Sequence, residues 1–198
     1  MELRFDYLPD RMFYAVRFRP GAYESTPFIR ELRFWGVDRV PCPSLSTMAA
    51  LLALKGHPMS VVTLQDAALS PAVCTALSQY FGVAVHPASL EVDRRDLPGG
   101  ERTVAPVRFA SASGMTGGLD GAEVVTWTSL DDLRGPFGGA IRTNLDAFDL
   151  DETEKNLIVA LCCAGKDVGH ILLPDAAPGL TAVFHRIGLE IVDRSPAD

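Results

Sequence analysis

The chain is poor in the side chains that most often carry chemistry in a small protein. Four histidines and four cysteines occur among 198 residues. No C-x-x-C and no paired-histidine spacing connects them, which excludes a zinc site of the usual ligand pattern. Cys42, Cys74, Cys162 and Cys163 each lie in or beside an apolar run, where a thiol acts as a small hydrophobe. That usage points to a reducing cytoplasm. The longest uninterrupted apolar run, residues 157–164, is far too short to cross a bilayer. The first ten residues hold three acids and lack the apolar segment of a secretory signal. Positive charge is scarce as well. The net charge is −7, with ten basic and ten acidic side chains in residues 1–100 against eight and fifteen in residues 101–198. Such a balance excludes the extended basic face that nucleic acid requires, so neither a nucleic-acid nor a membrane partner is expected.

What is present is ordinary globular composition, 47% hydrophobic and 22% charged, in a chain long enough to bury about 70% of its unfolded surface without metal or disulfide. Arg11, Arg17, Arg19, Arg30, Arg33 and Arg39 cluster early but are interleaved with Glu2, Asp6, Asp10, Glu24, Glu31 and Asp38. They read as a solvated mixed-charge surface. Alternating apolar residues predict strands over 2–8 and 12–18 around the Pro9-Asp10 turn. Thereafter strands and helices alternate. A short strand is expected at 39–43 and a helix at 46–54 capped by Ser46. A strand follows at 60–64, then a helix at 71–81 opened by Ser70-Pro71 and closed by Gly82, and a strand at 83–86. Beyond a polar Pro/Gly connection at 91–102, strands are expected at 107–110 and 123–128. A helix capped by Asp149 or Asp151 runs to 164, with strand 170–173, helix 180–187 and strand 189–192 after it.

Non-alternating strands between helices imply an α/β fold: a three-layer, mostly parallel sheet with helices on both faces and an N-terminal β-hairpin. A self-similarity at an offset of 109 residues adds an internal repeat. Residues 49–68 and 158–177 agree at six of twenty positions, including Gly56/Gly165, Leu64/Leu173 and Asp66/Asp175. The expected organisation is one compact domain, 1–198, made of pseudo-repeated halves 1–95 and 103–198.

Ligands of open α/β sheets bind at the carboxyl ends of strands, which singles out Asp66, Asp175 and His86. Asp66 and His86 are the catalytic candidates, with Asp66 as a base, although an aspartate there also serves as a helix cap or Asx turn. Ser111, Ser113, Gly114, Thr116, Gly117 and Gly118 belong to a glycine-rich loop able to form an anion-binding concavity or to serve as a plain connection. Within it, Gly117-Gly118-Leu119-Asp120 resembles the S-G-G-x-D-S loop of ATP pyrophosphatases, with Gly121 in place of the serine. Asp149-Leu150-Asp151-Glu152-Thr153 matches the D-x-D-x-T motif of haloacid-dehalogenase-type phosphatases. No hydrophobic strand precedes it, so it reads as a helix start. Two functions follow. One is a protein that binds a polar or phosphorylated small molecule in the crevice between the halves, and acts on it if catalytic. The other is a non-catalytic regulatory or scaffold homodimer pairing through Phe34, Trp35 and the aromatic N-terminal strands.

Overall fold

The computed structural model describes residues 1–22, 24–91, 97–109, 121–130, 140–163, 165–173 and 178–193. Strands β1 (Glu2–Leu8) and β2 (Phe13–Arg19) are joined by a 3-10 turn at Pro9–Arg11, and β3 (Glu31–Trp35) follows. Helix α1 (Pro43–Ala53), β4 (Val61–Leu64), β5 (Ala68–Leu69), α2 (Pro71–Phe81), β6 (Ala84–His86) and β7 (Ser89–Leu90) come next. The remainder comprises β8 (Arg102–Arg108), β9 (Glu123–Ser129), β10 (Ile141–Thr143), α3 (Glu152–Cys163), β11 (Val168–Leu173), α4 (Pro178–Arg186) and β12 (Glu190–Asp193). The architecture is mixed α/β with a large, mostly parallel sheet.

Helix ends follow local chemistry. The Ser70 hydroxyl accepts from the Val73 amide, Pro71 supplies a preset φ, and Gly82 closes α2 at φ +67°. Before α3, Asp151 Oδ1 accepts from the Glu154 amide at 2.8 Å while Glu154 Oε2 accepts from the Asp151 amide at 3.1 Å, a reciprocal capping box. Helix α1 starts three residues before Ser46, because Pro43 occupies the first turn and draws the start back to Cys42. No strand forms at 39–43; its place in the sheet is taken by β3. Strand β8 begins five residues before the expected 107, runs through Pro106 and ends at Arg108. Its pairing with β11 ends at Val104, so Pro106 faces a ladder on the β9 side alone and its missing N–H costs nothing on the other.

The ten-stranded sheet runs β12-β11-β8-β9-β10-β3-β2-β1-β4-β6, and β5 pairs with β7 in a separate parallel ribbon. Antiparallel pairing occurs at β1–β2, β2–β3 and β3–β10; the other neighbours are parallel. Strands β3 and β10 share two register pairs, Trp35 with Arg142 and Phe34 with Thr143. The Asn144 amide lengthens this seam, accepting from Arg33 N at 2.8 Å and donating to Glu31 O at 2.9 Å.

Helices α1 and α3 pack against each other at the centre. Residues 44–52 and 157–163 are buried throughout, which accounts for their apolar composition on every side. Helix α2 packs on β6, α4 on β12, and the two meet, with Arg186 Nη1 donating to Gln79 Oε1 at 2.8 Å. Yet β6 and β12 are the two edges of the sheet. Nine inter-strand spacings would hold flat edges about 43 Å apart. The sheet therefore curls around α1 and α3. On β1–β3 the inner face carries Leu3, Tyr14, Val16, Phe18, Leu32 and Phe34, all buried. The outer face carries Arg4 and Arg17, 55% and 56% exposed. The same face also carries Ala15, buried, and Phe13 against Trp35, both half-buried.

Two outcomes test these contacts. Asp151→Ala should cost about 0.5–2 kcal/mol in urea unfolding, while Asp149→Ala, which removes no cap, should stay within about 0.5 kcal/mol of wild type. Asn144→Ala should cost about 1–3 kcal/mol through two lost hydrogen bonds.

Candidate functional site

The open face of β1–β3 is built by period-two alternation. Register pairs set Glu2 opposite Arg19, Arg4 opposite Arg17, and Arg17 opposite Glu31. Carboxylates hold some of these arginines. Arg4 Nε lies 3.2 Å from Asp6 Oδ1, and Arg17 Nε lies 3.0 Å from Asp6 Oδ2 and 3.6 Å from Glu31 Oε2. Arg33 pairs with Glu31. Arg19 and Arg30 are exposed and, among the described residues, form no ion pair.

Two depressions lie on this face. One, of about 70 Å³, is lined by Glu2, Arg4, Arg17, Arg19, Gln65 and Asp66. The other, of about 380 Å³, is lined by Arg17, Phe18, Arg19, Pro20, Thr26, Arg30 and Glu31. Arg17 and Arg19 border both. Asp66, two residues past the end of β4, stands 3.7 Å from Arg4 Nε and is about half exposed. His86, the last residue of β6, is exposed and lines neither depression. Ser111, Ser113, Gly114, Thr116, Gly117, Gly118 and Asp175 lie outside the described residues.

Two further cavities flank the β3–β10 seam. The first, about 240 Å³, is lined by residues including Asp38, Arg39, Glu123, Thr126 and Cys163. The second, about 400 Å³, is lined largely by apolar groups, including Phe28, Leu54 and Phe148, with Lys55 and His57 at hand. Neither contains Asp66 or His86. Their cations are already engaged: Arg39 with Glu123 at 3.5 Å and Asp167 at 3.4 Å, Lys55 with Glu154.

A polar cluster that sequence reasoning missed sits at the carboxyl ends of β8 and β10. Arg108 lies over the buried Trp127 ring at 5.0 Å and reaches Asp146 at 2.6 Å and Glu152 at 3.2 Å. Lys155 donates to Asp146 at 2.9 Å, and Trp127 Nε1 donates to Asn156 Oδ1 at 2.7 Å. Burial alone would raise the Asp146 carboxyl. The Lys155 hydrogen bond, the charges of Arg108 and Lys155 and the Ser129 hydroxyl outweigh it and hold the group below the usual carboxylate range. No sequence motif marks this cluster, because its members come from four separated segments.

Burial works against a thiolate at three of the four cysteines. Burial pushes Cys42 up despite hydrogen bonds from Ser44 and Leu45, and it pushes Cys162 and Cys163 well above the ordinary thiol range. Among the described residues no group of three His, Cys, Asp or Glu side chains is placed to hold a metal, and no helix is long and apolar enough to cross a membrane. Of the aromatic surface expected for self-pairing, Phe34 and Tyr14 are buried and β1–β3 are interior strands paired on both sides, while Phe13 and Trp35 are half-buried with their rings 4.9 Å apart. Compared with known proteins, the chain matches no family model, no curated protein and no solved structure.

The Asp146 environment gives a pH signature. A carboxylate with a depressed folded-state pKa contributes stability that is complete above its unfolded value, about 3.9. That contribution disappears as pH falls through the lower folded value. Wild type should exceed Asp146→Asn in urea stability at neutral pH, and the gap should close in the acid range. A gap independent of pH would contradict this account.

Proposed function

We propose that the protein binds a small polar or phosphorylated molecule on the open face of β1–β3, in a chain of two pseudo-repeated halves, 1–95 and 103–198. The observation that carries the binding reading is the pair Arg19 and Arg30, which have no carboxylate partner among the described residues and border a cavity of about 380 Å³. In a chain of net charge −7, a local surplus of guanidinium calls for an anion from outside. Guanidinium forks match phosphate and carboxylate oxygens in paired hydrogen bonds. This site is preferred to the crevice between the halves, because the cations of both seam cavities already carry carboxylate partners. It also keeps Asp66, the sequence candidate for a base, on the wall of the adjoining depression. The setting is a cytoplasmic protein with no nucleic-acid or membrane partner.

The repeat is supported by the order of strands on either side of the seam. Outward from β3 the sheet meets β2, β1, β4 and β6; outward from β10 it meets β9, β8, β11 and β12. The paired residues Phe34 and Thr143 are themselves 109 apart, the offset of the sequence repeat. One strand departs: β2 is antiparallel to both β1 and β3, whereas β9 is parallel to both β8 and β10. The dimeric-scaffold reading keeps only part of the surface assigned to it: Phe34 lies in the core, while Trp35 and Phe13 stay half-buried with their rings 4.9 Å apart.

Inorganic phosphate, titrated calorimetrically, should bind wild type and lose affinity in Arg19→Ala and Arg30→Ala. At a hundred times its dissociation constant it should add about 2.7 kcal/mol of stability. Added salt should weaken binding, since charges at an exposed site are screened over about 8–10 Å. Phosphate binding that persists unchanged in the double variant would refute this location.

A further inference from the structure

We infer that the ligand of the arginine face is a short hydroxylated phosphomonoester, lying across both depressions with its phosphate between Arg19 and Arg30 and its hydroxyl end beside Asp66. This rests on the anion-binding reading above and deepens it. The depressions share Arg17 and Arg19, so one ligand can occupy both, and their chemistry differs.

The larger depression sets three arginines, Arg17, Arg19 and Arg30, against one carboxylate, Glu31, which is already engaged by Arg17 and Arg33. Two positive charges remain. A phosphomonoester carries about −1.5 to −2 at neutral pH, so it balances them where a single carboxylate would not. The Thr26 hydroxyl on the same wall adds a donor for a third oxygen.

The smaller depression offers acceptors. Glu2 makes no ion pair among the described residues, Asp66 has Arg4 at 3.7 Å and no closer partner, and Gln65 adds a side-chain carbonyl. Carboxylate oxygens call for a donor on the ligand, and a hydroxyl both donates to them and accepts from the guanidinium groups beside them. Arg4, Arg17 and Arg19 line the same space, so a neutral hydroxyl is favoured over an ammonium group, which they would repel. The volume, about 70 Å³, suits a small hydroxyl-bearing end such as a hydroxymethyl group.

The test is calorimetry on the full chain with three probes: inorganic phosphate, glycerol 3-phosphate and phosphoethanolamine. Glycerol 3-phosphate should bind about tenfold more tightly than phosphate, the worth of one net hydrogen bond. Asp66→Ala, which removes the acceptor, should abolish that gain and leave phosphate binding unchanged. Arg30→Ala should weaken both. Circular dichroism and thermal melting of each variant separate lost binding from lost folding. Equal affinity for phosphate and glycerol 3-phosphate would overturn the hydroxylated class while leaving anion binding intact. So would a gain that survives Asp66→Ala, or tighter binding of phosphoethanolamine. Failure of all three probes to bind would overturn the anion-binding reading itself.

Discussion

The short antiparallel seam between β3 and β10 is the contact on which the rest of the structure depends. Only two register pairs span it, yet it joins two five-strand groups into one sheet. Without it each group would end in an unpaired row of amides and carbonyls, an edge prone to pairing with other chains. Asn144 continues the ladder with its side chain where the backbone leaves it, and so serves both Arg33 and Glu31. Beneath the seam α1 and α3 pack directly on one another. Joining the strands and joining the helices are therefore one event, and the curl of the sheet follows from it. The outer helices α2 and α4 can touch only if the sheet bends around the central pair.

Curvature in turn decides where charge can go. The concave side is filled by helices, so period-two alternation on β1–β3 turns the charged side chains outward, where Arg4, Arg17 and Arg19 reach water. There the strand register sets cations beside anions. Asp6 and Glu31 pair with Arg4, Arg17 and Arg33, whereas Arg19, at the end of β2, and Arg30, just before β3, fall past the reach of those carboxylates. Exposed ion pairs of this kind contribute little stability. Their importance lies in which arginines they leave free. Paired ones shape the wall, and unpaired ones supply the field that attracts an anion.

The polar cluster around Asp146 serves the second half differently. Arg108, Lys155 and the Trp127–Asn156 bond tie the carboxyl end of β8, the turn before α3 and the first turns of that helix together. Its cations face carboxylates at hydrogen-bonding distance, so an incoming anion would compete with Asp146 rather than fill an empty place. That physical difference separates it from the arginine face, although both are rich in basic side chains.

The sequence by itself determined the local elements. Helix α2 is legible to the residue from Ser70, Pro71 and Gly82, and the β1 and β2 alternation reads off the aromatic spacing, because caps, turns and periodicity act within a few residues. The arginine-rich segment was visible too, but as a mixed-charge surface. Which arginines find partners depends on strands separated in the chain, as Arg17 does with Asp6 and Glu31. Strand β3 was missed because five alternating residues carry no signal until β2 and β10 pair on either side, and Pro106 masked β8 because its tolerance depends on where β11 stops. Asp66 was picked as a strand-end residue, while Arg19 and Arg30 became candidates only when the cavity around them was seen. The curl of the sheet, the open face and the free charges were decided by the tertiary structure alone. They arise from contacts between residues tens of positions apart, which short-range propensity does not encode.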